Sequence, residues 1–156
     1  MGTRSYIGME RDDGSVAYIY CHWDGYPSHN GAVLMEHYSS AERMERLVAL
    51  GDISSLRPKI EPDGPHGFTD SQDDVVIAYH RERGEEWDGV KPTDAVSIGA
   101  IPQSHGAEYV YIWRSPAGGD GGAYWMYAYR DCSDRKNPTW AWQPLTSDAC
   151  KAEGGA

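Results

Sequence analysis

Two strand-like runs, Thr3 to Met9 and Ser15 to Trp23, flank the turn Asp12-Asp13-Gly14, and this pairing limits the fold more than any other part of the chain. The Asp-Gly pair suits the positive φ angles of a tight turn, so the two runs should form an antiparallel hairpin. In the second run the two-residue strand period sets Ile19, Cys21 and Trp23 on one face and Tyr20, His22 and Asp24 on the other. The apolar trio should face a core, which leaves His22 and Asp24 together on the more accessible side.

Glu108 to Trp113 and Ala123 to Arg130 read as a second hairpin around the connection Gly118-Gly119-Asp120-Gly121-Gly122. Between the hairpins, Asn30 is placed to cap a short helix carrying Val33, Leu34, His37 and Tyr38. Ser39-Ser40-Ala41-Glu42 then reads as a capping box opening a second helix, with Met44, Leu47 and Val48 as its apolar stripe and Gly51 as its stop. Residues 54–74 are rich in Pro, Gly, Ser and Asp and read as a surface loop. Val75 to Tyr79 reads as a buried strand that delivers His80, Arg81 and Arg83 at its end, residues 85–106 show no assignable pattern, and Thr139 to Trp142 adds an edge strand. The expected architecture is a single α+β domain over residues 1–150 with a flexible tail at 151–156. Its antiparallel sheet is built from the two hairpins, with two short helices of residues 31–50 packed on one face.

At 156 residues the chain suffices for one core, and its 11 Tyr and 6 Trp against a single Phe imply aromatic surface that ends at polar boundaries. A net charge of −10 argues against direct nucleic-acid binding, which needs a basic face, and leaves a basic protein partner or a local basic pocket. Cys21, Cys132 and Cys150 form an odd set without a C-x-x-C pair, which fits a reduced, cytoplasmic setting and no zinc knuckle. No apolar run spans a bilayer and no lipidation or glycosylation signal is present. Self-association stays open.

The chemistry concentrates in Ile19-Tyr20-Cys21-His22-Trp23-Asp24-Gly25-Tyr26-Pro27-Ser28-His29-Asn30-Gly31. His22 and Asp24 could give a metal two ligands, with Glu36 or His37 completing the shell. The structural alternative is that Asp24 closes the turn while His22 bonds backbone. Cys21 beside His22 is no dyad, because strand neighbours point to opposite faces. Asn30 and Gly31 at a helix start would offer N–H donors to an anion. Arg4, His80, Arg81 and Arg83 would converge on them as compensating charge, and Trp23 or Tyr26 would form a stacking wall. The expected ligand-binding set is therefore Arg4, His22, Trp23, Asp24, Tyr26, Asn30, Gly31, His80, Arg81 and Arg83, with no cofactor and no catalytic residue assigned. The glycine run at Gly118 is not a phosphate loop, since no Lys-Ser/Thr follows it. Asp70, Asp73, Asp74, Glu82, Glu85, Glu86 and Asp88 read as a solvated acidic face.

Thr3-Arg4-Ser5, the string from Ile19 to Pro27 with His29-Asn30-Gly31, His37-Tyr38, and Leu50-Gly51-Asp52-Ile53-Ser54-Ser55-Leu56 resemble a family of small uncharacterised proteins encoded by tailed bacteriophages and plasmids. Ala78 to Glu85 and the Tyr-rich stretch at Glu108 match more loosely. The resemblance implies a source, and with it an accessory protein in the bacterial host cytoplasm that interferes with host physiology or immunity. It carries over no activity. The expectation is a non-enzymatic binder of a small anionic or nucleotide-like ligand, sequestering a host defence signal. A metal-dependent hydrolase using His22 and Asp24 is one rival, and an acidic inhibitor of a host nucleic-acid-binding protein is the other.

Overall fold

A computed structural model describes residues 2–102, 107–114, 122–131, 133–134, 136 and 139–151. The first strand, β1 (Ser5–Glu10), turns back into β2 (Val16–Cys21) in antiparallel register, Ile7 opposite Ile19. Gly14 takes φ 85° in the connection and the Asp13 carboxylate accepts the Ser15 N–H at 2.9 Å, the two local devices that an Asp-Gly turn supplies. β6 (Tyr109–Arg114) pairs antiparallel with β7 (Tyr124–Asp131), and β7 with β8 (Thr139–Pro144).

The sheet is mixed, which corrects the antiparallel expectation. β1 and β6 run parallel, Ser5 opposite Tyr109, and this joint unites the two halves of the chain. β2 also meets β3 (Ile53–Ser55) in parallel at Cys21 and Ile53, and β3 pairs antiparallel with β4 (Ile77–Ala78). The order is β4-β3-β2-β1-β6-β7-β8, with β5 (Thr93–Ala95) set against the start of β2. The parallel joints follow from the helices between β2 and β3 and the long excursion between β1 and β6, which return the chain in the same direction.

Strand alternation divides the core in two. Ile7, Ala17, Ile19, Cys21, Tyr111, Trp113, Trp125 and Tyr127 line the first face with Leu34 and Tyr38 of α1 (Ala32–His37) and Met44, Leu47 and Val48 of α2 (Ala41–Val48). Val16, Tyr18, Val110, Ile112, Ala128 and Trp140 line the second, covered in part by Ile101 and Ala107. The start of α2 is capped by the Ser40 hydroxyl, which accepts the Arg43 N–H, while the Ser39 hydroxyl donates to the Met35 carbonyl and closes α1. Gly51 ends α2 at φ 76°, and a Cβ there would sit 2.4 Å from the Val90 carbonyl.

Residues 85–106, unassigned from sequence, contribute α4 (Trp87–Val90), β5 and a 3₁₀ turn at Ile98–Ala100. The expected strand from Val75 is shorter, because the chain turns at Tyr79 into α3 (Tyr79–Arg83). The C-terminal α5 (Ser147–Lys151) packs on the turn at Pro27–Gly31. The glycine run at Gly118 falls outside the described residues apart from Gly122. No helix among the described residues is long and apolar enough to cross a membrane.

Candidate functional site

β2 ends at Cys21, and the two-residue period ends with it. His22 N and Trp23 N donate to the Ile53 and Ser54 carbonyls, Asp24 adopts φ 57°, and Gly25 N donates to the Thr3 carbonyl. A Cβ on Gly25 would lie 2.8 Å from that carbonyl, which explains the glycine. Ile19 and Cys21 are buried as expected, but Trp23 is 43% exposed and is no core residue. The correction has a local cause, since a left-handed residue at Asp24 swings the chain out of the pleat.

Asn30 is not a helix cap with open donors. Its side chain is fully buried, and its Nδ2 donates to Ser5 Oγ, Cys21 Sγ and the Trp23 carbonyl at 3.2, 3.4 and 3.3 Å. His29 Nδ1 donates to its Oδ1 at 2.9 Å, and its own N–H is taken by the Asp24 and Tyr26 carbonyls. Pro27–Gly31 is a π-helical turn that runs straight into α1, Gly31 is buried, and the Ala32 N–H is bonded to the His29 and Pro27 carbonyls. Asn30 thus ties the motif loop to β1 and β2, and the anion cradle expected at Asn30-Gly31 is absent. Burial also pushes the Cys21 thiol up to about 11, so it stays protonated and packs as a small apolar group.

Asp24 and His22 point to different partners. The Tyr26 hydroxyl donates to Asp24 Oδ1 at 2.9 Å, and that carboxylate raises the Tyr26 pKa. His22 Nδ1 is hydrogen-bonded to the Tyr20 hydroxyl at 2.7 Å. Burial pushes Tyr20 up to about 12, so the phenol keeps its proton across the physiological range. Glu36 and His37 face each other at 3.8 Å on α1. Among the described residues no group of three or more His, Cys, Asp or Glu side chains is placed to hold a metal ion.

The four expected cations divide. Arg4, just before β1, keeps 39% of its side chain exposed and contacts Glu108 at 3.5 Å. Arg83 lies over the Phe68 and Tyr79 rings, 4.9 and 5.6 Å from their centroids. Tyr79 and Arg4 both act electrostatically on Tyr20, and Arg83 on Tyr79, which gathers these groups with His22 near the end of β2. Trp23 stands edge-on to His22, with ring centroids 4.7 Å apart. Arg81 turns away, donating to the Val76 carbonyl and to Glu82. His80 is exposed, bonded to the Glu85 carbonyl and packed on Trp87.

Tyr20, Asp52 and Tyr79 belong to this corner and were not singled out from sequence. Asp52 Oδ1 accepts the Tyr20 N–H at 2.9 Å, and burial pushes its carboxyl up to about 6, with Glu85 adding in the same direction. The strand period that set Tyr20 beside His22 was the available signal for the first. Asp52 and Tyr79 enter only through the β2-β3-β4 pairing. Compared with family models, curated proteins and solved structures, the chain matches none.

Proposed function

We propose that this chain is a binding protein for a small anionic, nucleotide-like ligand, held near the end of β2 rather than at the Asn30-Gly31 turn. The observation that carries this reading is a group of partly exposed rings, Tyr20, His22 and Tyr79, with Trp23 edge-on to His22, Arg83 over Tyr79 and Arg4 within electrostatic reach of Tyr20. A planar base stacks on such rings, and a guanidinium matches a phosphate or carboxylate through two parallel N–H donors. Arg4 would exchange its long contact with Glu108 for that anion. The two side chains of the hydrolase alternative go to separate partners, Asp24 to the Tyr26 hydroxyl and His22 to the Tyr20 hydroxyl. In keeping with the resemblance to phage and plasmid proteins, the role we assign is sequestration of a nucleotide-derived signal in a bacterial host.

The test is a thermal-melt screen of mono-, di- and cyclic nucleotides. A ligand held by the native state alone at ~100 times its Kd adds about 2.7 kcal/mol of stability. The expected result is a rise in Tm that Arg4→Ala or Trp23→Ala abolishes and Asp73→Asn leaves intact. No rise with any nucleotide would overturn the reading. So would a salt-sensitive complex with a basic host protein that is lost on neutralising Asp73, Asp74 and Glu86, which would favour the acidic-inhibitor alternative.

A further inference from the structure

The helix-covered face of the sheet carries a recess that the nucleotide reading does not use. Register pairs Ala17 with Met9, Met9 with Trp113, and Trp113 with Trp125, so these four residues form one transverse row on the first face. α2 packs over the β1 and β2 end of that row. Between them lies a cleft of about 370 Å³ lined by Met9, Ala17, Val48 and Pro92, within the size range of small-molecule sites. Arg11 and Glu45, both exposed, stand at its mouth.

At the far end of the same row, the indole N–H groups of Trp113 and Trp125 are buried and have no hydrogen-bond partner among the described residues. The two rings are 5.4 Å apart, and each indole is a donor with no capacity to accept. A buried donor left unpaired is costly, and two side by side call for an acceptor. Met9, an unbranched and adaptable side chain, lines the cleft and is the cross-strand neighbour of Trp113. The mouth does not select charge, because the Arg11 guanidinium is already held by Asp94 at 2.5 Å and by Ser15 at 3.1 Å, and Glu45 offsets it.

We propose that this cleft is a second binding site, for a small uncharged molecule with an apolar body and a hydrogen-bond acceptor, of the ketone or ester class. The body lies against Val48, Ala17 and a displaced Met9, and the oxygen accepts from the Trp113 indole N–H. The experiment is titration of the intact chain with 2-hexanone, hexanoate and hexylammonium, following the indole ¹H–¹⁵N resonances assigned through Trp113→Phe and Trp125→Phe. The expected result is a saturable downfield shift of the Trp113 indole proton with the ketone. The two charged homologues, which must bury a charge, should bind at least ~10-fold more weakly. Ala49→Leu places a larger side chain at the exposed rim of the cleft, where the fold tolerates it, and should weaken the ketone at least ~10-fold by steric exclusion. No saturable shift, a shift unchanged in Ala49→Leu, or hexanoate binding as tightly as the ketone would overturn the proposal. The last of these would make Arg11 the recognition element.

Discussion

Glu82→Ala is expected to destabilise this protein by about 3–5 kcal/mol, the range for removing one partner of a buried charge pair. The side chain is 3% exposed, Oε1 accepts the Ala78 N–H at 2.9 Å, and Oε2 accepts from Arg81 Nε at 2.5 Å. His66 Nε2 lies 3.5 Å from Oε1 while the His66 ring bonds the Val76 carbonyl and the Gln72 N–H, which fastens the loop of residues 59–76 to α3. Truncation would strand the Ala78 donor and weaken the hold on the Arg81 guanidinium, whose Nη1 is buried with no hydrogen bond among the described residues and only Glu61 at 4.0 Å. Arg81 keeps a quarter of its side chain in contact with solvent, so partial rehydration places the expected cost toward ~3 kcal/mol. Urea denaturation is the assay, and Cm should fall at unchanged m. In heating scans each kcal/mol should lower Tm by ~2–4 °C for a domain of this size. Asp73→Ala, on the exposed loop, is the control and should stay within about 0.5 kcal/mol of wild type. If the two variants melt alike, Glu82 is solvated and the reasoning fails.

Asn30→Ala should cost about 2–4 kcal/mol, because it leaves His29 without its acceptor and removes the donor that joins β1 to the motif. Trp23→Ala, on a side chain 43% exposed, should cost only ~1–2 kcal/mol, and chemical denaturation of the two variants side by side would expose a reversed order. Gly51→Ala combines a left-handed backbone with a Cβ 2.4 Å from the Val90 carbonyl and should lower stability by more than ~2 kcal/mol, read as a drop in Tm. Asp52 has a folded pKa of about 6 against an ordinary 3.8, so the native state binds its proton more tightly than the unfolded chain does. Its contribution is therefore largest at low pH and is lost as pH rises from about 4 to about 6. Asp52→Asn keeps an oxygen for the Tyr20 N–H and should flatten that slope in denaturation curves and raise stability at neutral pH. An unchanged slope would show that Asp52 titrates normally.

What the sequence disclosed was local. The turn at Gly14, the apolar stripe of α2 and the stop at Gly51 each depend on a few adjacent residues, and each was legible. The parallel joint between β1 and β6 was not, since Ser5 and Tyr109 share no local signal and either direction satisfies the same alternation of apolar residues. The site shows the same division. His22 and Tyr20 were placed together by strand period, yet the phase could not foresee that Asp24 would adopt a left-handed conformation and release Trp23 from the core. Asn30 looked like a cap because caps and buried amides use the same side chain. Arg81 read as a pocket cation and Glu82 as part of a solvated face, because their mutual burial depends on a loop folded over them from residues 59–76.

The parallel seam between β1 and β6 also orders events as the chain is made. The first strand emerges early with its hairpin partner, but its other edge, through Ile7 and Met9, has nothing to pair with until residues 109–113 are synthesised. Arg4 likewise meets Glu108 only then. During that interval the hairpin exposes an open, apolar strand edge, the kind of surface that recruits foreign strands. Closing a loop of this length adds only a modest entropic cost to the finished fold, but such distant contacts slow its formation. A truncated chain ending before residue 108 would keep the Tyr-Cys-His-Trp motif, yet it would lack the seam that holds Arg4 against Glu108 and would tend to associate through the bare edge of β1.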